Sequence, residues 1–305
     1  MKTKLKNARR LQSLTSLRNG EFDNLLPYFE KAFEEYCCQF TLKGKPRKKP
    51  LLTCPEYSNS SLPDSSLKLY FILYVLKTNP LQEDIGEHFQ MSQGKVSEWI
   101  AILLPCLQQA LARLKSLPAR DEHTLDNWLS EQIDAILLED ATDRPVPRST
   151  DYVVQEEHYS GKHGKHTVKN LIIINRNREV GFLSQTYEGS VHDKTVFDNE
   201  ALNFHREGFS MVHDLGFQGV NIENVQVIIP FKKQAGLSMP DYMKEANRII
   251  SRARVRVEHV IGCIKRLRMV KEVIRLKRDQ IRDQIMLIAT GLHNFRNRFR
   301  AKLET

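Results

Sequence analysis

The chain has 305 residues, 41% of them hydrophobic and 27% charged, with only 12 prolines and 14 glycines. That composition excludes a disordered chain, a collagen and a coiled-coil array, and the length suffices for two domains. The formal net charge of +9 is unevenly spread: residues 1–60 carry 12 Lys+Arg against 6 Asp+Glu, residues 61–250 carry 19 against 26, and residues 251–305 carry 15 against 5. Basic ends flanking an acidic middle suit a polyanionic partner, whose phosphates release counterions on binding; the plainer alternative is solubility alone.

The longest apolar run, Leu69 to Leu76, is far shorter than the roughly 20 residues of a membrane span, and the first residues lack the apolar stretch of a signal peptide. No membrane partner is expected. The expected location is the cytoplasm, with the nucleoid, for a bacterial protein and the nucleus for a eukaryotic one. Cys37, Cys38, Cys54, Cys106 and Cys263 form no Cys-x-x-Cys pair, which argues against a disulfide framework or a structural zinc site.

Residues 20–40 have helical apolar spacing, with an interruption expected near Pro27. Thr41–Pro63, with Lys43, Lys45, Arg47, Lys48 and Lys49 among four prolines, reads as an extended basic linker. It is either a nucleic-acid contact through Lys48 and Lys49 or a solvated connector. Ser66–Thr78 predicts a strongly apolar helix, and Asn79-Pro80 predicts the start of a second, running to about Phe89. After Gln90-Met91-Ser92 a third helix buries Val96, Trp99, Ile100, Leu103 and Leu104. Two short helices across so tight a turn form a helix-turn-helix, which would present Gln93, Lys95, Ser97 and Glu98 to a major groove; the competing reading is a plain helical bundle.

From Glu131 onward strands are predicted at Ile133–Leu138, His166–Asn175, Glu179–Tyr187, Phe209–His213 and Val225–Ile229, the second and third forming a hairpin around Arg176-Asn177-Arg178. A helix opens at Ser190-Val-His-Asp193, a long one follows from about Pro240 to Val270, and a last one spans roughly Asp279–Phe299. The expected fold is α+β: a mixed five-stranded sheet with flanking helices, preceded by an all-α helix-turn-helix domain. The expected domains are residues 1–62 (N-terminal helix and basic linker), 63–120 (helix-turn-helix) and 121–305 (catalytic, with a basic C-terminal helix).

Asp140 and Asp214 each follow an apolar strand pattern, the usual place for functional residues in a mixed sheet. On the long helix Val257, Val260, Ile264 and Leu267 share one side, and Glu258 faces nearly the opposite way, between Arg254 and Lys265. Glu258 is therefore either a metal-binding acid whose basic neighbours hold phosphate or half of a surface Arg254–Glu258 ion pair. Three converging carboxylates need cations. Two Mg2+ ions, with Mn2+ the alternative, about 3.5–4 Å apart would offset their repulsion and support an in-line phosphoryl transfer. No nucleophile elbow and no Walker-type loop is present.

These motifs, taken in order, resemble those of the DDE transposases of the PIF/Harbinger-like superfamily and their bacterial insertion-sequence relatives, from about Leu67 to Arg298. The resemblance rests on Asp140-Ala-Thr-Asp143-Arg-Pro, Tyr159-Ser-Gly-Lys162 with His166-Thr-Val-Lys169-Asn, Gly189-Ser-Val-His-Asp193, Asp214-Leu-Gly-Phe217-Gln-Gly, Pro230-Phe-Lys-Lys233, and Asn247 through Arg254-Val-Arg-Val-Glu258-His-Val-Ile-Gly262. It implies an RNase H-like catalytic domain with Asp140, Asp214 and Glu258 as a metal-binding triad. Ala141 and Phe217 stand where the family often has Gly and Tyr.

Glu139 points away from Asp140 on the same strand, so only one of them faces a site. Asp143 is the fallback for Asp140 and otherwise reads as a turn or ion-pair residue. Asp193 competes with Asp214 but has a capping role of its own, and with His192 it is expected to line the site as a second layer. Lys162, Lys165 and Lys169, with His163 and His166, are expected to contact phosphate rather than zinc, as are Lys232, Lys233, Arg254 and Lys265. Arg275, Arg278, Arg282, Arg296, Arg298 and Arg300 either follow DNA or solvate a helix. The implied function is a transposase acting as a homodimer or larger assembly on double-stranded DNA, namely its terminal inverted repeats and a target. In that reaction water cleaves the element ends and the freed 3′-hydroxyl attacks the target strand. The alternatives are a domesticated DNA-binding derivative and an RNase H-like nuclease.

Overall fold

The computed structural model describes residues 8–53, 60–132, 136–205, 207–233, 236, 238–276 and 279–304. In chain order the elements are α1 (Ala8–Thr15), α2 (Asn19–Gln39), α3 (Ser65–Thr78), α4 (Gln82–Phe89), α5 (Gln93–Arg113), α6 (Glu122–Ser130), β1 (Ile136–Pro145), α7 (Tyr152–His158), β2 (Tyr159–Ser160), β3 (Lys165–Ile174), β4 (Val180–Leu183), β5 (Tyr187–Glu188), α8 (Asp193–Glu200), β6 (Phe209–Val212), β7 (Val225–Ile228), α9 (Asp241–Ile264), α10 (Arg268–Lys271) and α11 (Asp279–Glu304). None of the described helices is long and apolar enough to cross a membrane.

The chain divides into two compact units, one of Met1–Leu117, Lys265–Glu272 and Gln284–Thr305, the other of Pro118–Ile264 and Val273–Asp283. The sequence places residues 265–272 and 284–305 with the catalytic domain, whereas their contacts place them with the N-terminal helices. The reason is hydrogen bonding and packing within the first unit. Lys77 Nζ donates to the Arg266 carbonyl (2.9 Å), Asn294 Nδ2 to the Ser116 carbonyl (3.2 Å), and Arg300 Nε to Glu21 Oε1 (2.7 Å), a carboxylate with no exposure.

In that first unit α2 is continuous through Pro27, because Phe22, Leu25, Phe29, Ala32 and Phe33 make a buried stripe that outweighs one lost backbone bond. The buried side chains of α2 are therefore taken up inside the unit. Residues 40–51 are not an extended linker: they fold back on the end of α2, with Arg47 N–H on the Gln39 carbonyl and Leu51 N–H on that of Cys38. Lys48 and Lys49 are exposed there, and Cys54 lies outside the described residues. The other four cysteines are free thiols, and burial pushes that of Cys106 up to about 12.

Asp64 caps α3 by accepting from Leu67 N–H (2.7 Å), and Asn79 ends it in the left-handed conformation. The second helix starts at Gln82 rather than at Pro80. Its turn into α5 is tight. Met91 N–H bonds the Gly86 carbonyl, and a Cβ on Gly86 would stand 2.6 Å from the Met91 carbonyl oxygen, so no larger residue fits. Ser92 caps α5, and Val96, Trp99, Ile100, Leu103 and Leu104 are buried as expected. Gln93, Lys95 and Ser97 are exposed, Gln93 bonded to Gln82 and Lys95 paired with Glu98 at 2.7 Å.

The second unit is built on one mixed sheet in the order β2-β3-β1-β6-β7, with β4 and β5 also pairing β3. Strands β1 and β3 are antiparallel, whereas β1, β6 and β7 are parallel. The expected β3–β4 hairpin forms, closed by Asn175 N–H on the Glu179 carbonyl with Arg178 left-handed. One face carries a core of Leu125, Leu137, Leu171, Ile173, Phe182, Phe197, Met211 and Phe217 under α6 and α8, with Trp128 against it. The other faces α9, which buries Val257, Val260 and Ile264. This arrangement is compatible with an RNase H-like domain.

Arg144 is wholly buried beyond Asp140 on β1. It donates to Asn170 Oδ1 (2.7 Å), Thr186 Oγ1 (3.2 Å) and the Arg282 carbonyl (2.8 Å), and burial pulls its pKa down to about 9. Asp283, held by Arg120 at 2.8 Å, opposes that shift. This network and an Ile274 N–H bond to the Pro145 carbonyl tie residues 273–283 to the sheet.

Gly189 leaves no room for a side chain, since a Cβ would lie 2.2 Å from Thr167 Oγ1 and 2.7 Å from the carbonyl oxygens of His158 and Thr167. Gly189→Ala should cost about 1–3 kcal/mol of stability in urea unfolding. Gly161→Ala, which meets nothing within 4 Å, is the control. Equal midpoints for the two variants would show that the loop relaxes freely.

Candidate active site

The parallel pairing of β1 with β6 sets Ile136 opposite Ser210, Leu137 opposite Met211 and Leu138 opposite Val212. Continued two residues further, this register puts Glu139 level with His213 and Asp140 level with Asp214. Alternation along each strand then separates the two pairs. Glu139 and His213 have no exposure, contact each other through Oε2 and Nδ1, and lie on the core face, where the His213 ring sits 5.3 Å from that of Phe217 and 5.8 Å from that of Phe197. Burial pushes the Glu139 carboxyl up, opposed by the His213 contact. Asp140 and Asp214 face the other way.

Asp214 does sit just past a strand, capping the short 3-10 turn Leu215–Phe217. Asp140 does not: β1 continues through Pro145 because β3 still pairs with it, and Asp140 lies opposite Ile172. It is nevertheless beyond the last pair with β6, so both aspartates open onto the same end of the parallel ladder. Each is held by the amide that follows it. Ala141 N–H donates to Asp140 Oδ1 (2.9 Å) and Leu215 N–H to Asp214 Oδ1 (2.8 Å).

Arg254 on α9 stands between them, with Nη1 3.0 Å from Asp214 Oδ1 and Nη2 3.8 Å from Asp140 Oδ2. Its Nε is buried without an acceptor among the described residues. Burial pushes the Asp140 carboxyl up to about 6; Arg254 and the Ala141 amide pull it down, and Asp214 and Asp193 push it further up.

Glu258, one turn along α9, is exposed and makes no hydrogen bond or ion pair among the described residues, not even with Arg254. The structure thus brings two of the three expected carboxylates together, around a guanidinium. Among the described residues no group of three or more His, Cys, Asp or Glu is placed to hold a metal. Asp193 is not the expected helix cap. The N-cap of α8 is His192, exposed and without a side-chain cap, because Asp193 Oδ1 instead takes Lys169 Nζ at 2.8 Å. Asp193 Oδ2 lies beside Gly216, 3.6 Å from where its Cβ would be, and its charge reaches Asp140.

Lys169 is thereby buried and internally paired, not presented to a phosphate, whereas Lys162 and Lys165 are exposed. Asp143 accepts from Thr167 Oγ1 (2.8 Å) and contacts His163 (3.2 Å), which places it among structural ion pairs. Of the C-terminal arginines, Arg282 and Arg296 are buried, Arg298 bonds the Lys115 carbonyl, and Arg278 lies outside the described residues. Lys265 is half-buried at the start of the segment that joins the helical unit. Lys232 and Lys233 are exposed on a segment clamped by Asn247, whose Oδ1 accepts from Phe231 N–H (2.8 Å) and whose Nδ2 donates to the Phe231 carbonyl (3.0 Å). The sequence reading missed this clamp. It also missed Arg252 and Arg256, exposed on α9 without partners among the described residues, although their i, i+4 spacing was visible.

The raised Asp140 pKa has a stability consequence. The folded protein holds that proton more tightly than the unfolded chain, so ionised Asp140 costs nothing below about pH 4 and its full penalty above about pH 6. Asp140→Asn should therefore stabilise the metal-free protein by about 1–3 kcal/mol at pH 8 and by almost nothing at pH 3.5. Chemical denaturation at both pH values measures this, and a variant less stable at pH 8 would refute it.

A family model described as DDE superfamily endonuclease matches residues 140–294, beginning at Asp140 and including Asp214, Arg254 and Glu258. A "Probable transposase for insertion sequence element IS702" from Microchaete diplosiphon is 28% identical over 160 residues, 52% of this chain and 56% of that protein. The chain thus spans about half the length of this curated relative. No solved structure matches. With half of its residues under that family model and the two aspartates converging as described, the chain belongs to the DDE superfamily of endonucleases.

Proposed function

We propose that the chain is a DNA transposase that binds the terminal inverted repeats of its element, cleaves the element ends and joins the freed 3′-hydroxyl to target DNA. The observation that carries this reading is the convergence of Asp140 and Asp214 on one cationic group at the open end of the β1–β6 ladder. Carboxylate oxygens aimed at a cation are the donor set that a hard divalent ion takes, so Asp140 and Asp214 would hold Mg2+ or Mn2+, with Glu258 as the third acid. Bound there, two such ions would supply charge stabilisation to the attacking and leaving oxygens of an in-line phosphoryl transfer.

The chain's own groups do the positioning. The Ala141 and Leu215 amides orient the two carboxylates, while Lys169 holds Asp193 at the site margin, with His192 beside it. Lys232 and Lys233, presented by the Asn247 clamp, take backbone phosphates, joined by Lys162, Lys165, Arg252 and Arg256. The α4–α5 pair acts as a helix-turn-helix, with Gln93, Lys95 and Ser97 reading a groove; its tight turn and exposed polar face support that role. Because two ends are synapsed, the working form is a homodimer or larger assembly.

Purified protein incubated with its flanking DNA ends and a plasmid target should cut and join them with Mg2+ or Mn2+ and not with EDTA. Asp140→Asn, Asp214→Asn and Glu258→Gln should each abolish cutting while leaving end binding in place. Cutting without joining would instead favour a nuclease, and near-normal cutting by a variant removes that residue from the triad.

Phosphate contact has its own signature. Each lost contact lowers the slope of log affinity against log salt by about 0.9. The pair Lys232→Ala and Lys233→Ala should therefore reduce the slope by about 2 and weaken specific and non-specific duplexes alike. An unchanged slope would take these lysines off the DNA.

A further inference from the structure

We infer that Arg254 is the resident cation of this site: its guanidinium occupies the position between Asp140 and Asp214 in the metal-free protein, and a divalent ion binds only when Arg254 has left. This rests on the reading of Asp140 and Asp214 as metal-binding residues.

The geometry is that of a bridging cation rather than of a side chain built to grip one acid. An arginine matched to a single carboxylate uses two parallel N–H bonds. Arg254 instead divides its two terminal nitrogens between two aspartates, at 3.0 and 3.8 Å. Its Nε–H, buried without an acceptor among the described residues, makes the fit incomplete and the position exchangeable. The aspartates, by contrast, are fixed independently of it, since Ala141 and Leu215 amides hold one oxygen of each. The acidic pair is therefore organised before any metal arrives, and what changes on binding is which cation sits between its members. Lys169, the other cation near the aspartates, is committed to Asp193 and does not compete for this position. Once displaced, the Arg254 guanidinium remains on α9 next to the reacting strand, where it suits a phosphate oxygen.

Such a competitor weakens apparent metal affinity by the fraction of time the site is open. If Arg254 fills the site nine-tenths of the time, removing it tightens metal binding about ten-fold. The test is Mn2+ binding to the full-length, metal-free protein, read from the electron paramagnetic resonance of unbound Mn2+, alongside the thermal midpoint without metal. Arg254→Gln should bind Mn2+ about ten-fold more tightly than the parent and melt lower without metal, the gap in melting closing as Mn2+ saturates. Arg254→Lys keeps the charge but cannot bridge both acids, so its affinity should fall between the two; it carries the test if the glutamine variant does not fold. Equal or weaker Mn2+ binding by these variants, with parental binding still lost in Asp140→Asn, overturns the role of Arg254 alone. Parental Mn2+ binding that survives in Asp140→Asn overturns the metal-site reading, and the inference with it.

Discussion

Leu138 beside Val212 is the last parallel pair between β1 and β6, and the residues that follow on each strand inherit its register. Since side chains alternate with period two, a slip of one residue would carry Asp140 into the apolar face and Glu139 out of it. The contact between Glu139 and His213 opposes that slip, because each of these buried groups would be stranded without the other. Burying such a pair brings little net stability, yet breaking it by removing one partner is costly. Its contribution here is specificity of register, exerted on the core face and felt on the opposite one, where the two aspartates stand. The aromatic rings of Phe197 and Phe217 enclose it, so helix α8 and the turn after Asp214 depend on the same arrangement.

Charge is the second constraint. Asp140, Asp214 and Asp193 lie near one another, and two basic residues, Arg254 and Lys169, answer them within the second unit. The balance is deliberately incomplete in its effect: even with Arg254 close by, burial dominates and the Asp140 carboxyl resists ionisation. The cost of that ionisation is chiefly desolvation, and a further positive charge beside Asp140 would lower it.

Much of this was legible in the chain. Short apolar runs located β3, β4, β6 and β7, the turn residues Arg176-Asn177-Arg178 located the hairpin, and strand alternation separated Glu139 from Asp140. What failed had identifiable causes. Pro27 predicts an interruption in α2, but a buried stripe that includes Phe22, Phe29 and Phe33 overrides one missing bond. The spacing of Ser190 and Asp193 matches a capping box, but Lys169, 24 residues earlier in the chain and adjacent in space, takes the carboxylate first. Counting positive charge identified the C-terminal arginines without showing that Arg282 and Arg296 are buried and that Arg300 is spent on Glu21. In each case a long-range partner decided the outcome, and local pattern carries no information about long-range partners.

Helix α9 shows how a local pattern and a side chain's length combine. Its buried residues Val257, Val260 and Ile264 fix its rotation against the sheet. At 100° per residue, Arg254 and Glu258 are then only about 40° apart on the helix surface, with Arg254 nearer the buried side. Reach settles which of them meets the aspartates: the long arginine does, while the shorter glutamate, further round, stays in solvent. One helix thus carries both the base that meets the aspartates and an acid that stands in solvent four residues on. Their four-residue spacing makes the two side chains neighbours on a single surface of one element, beside the strands that hold Asp140 and Asp214.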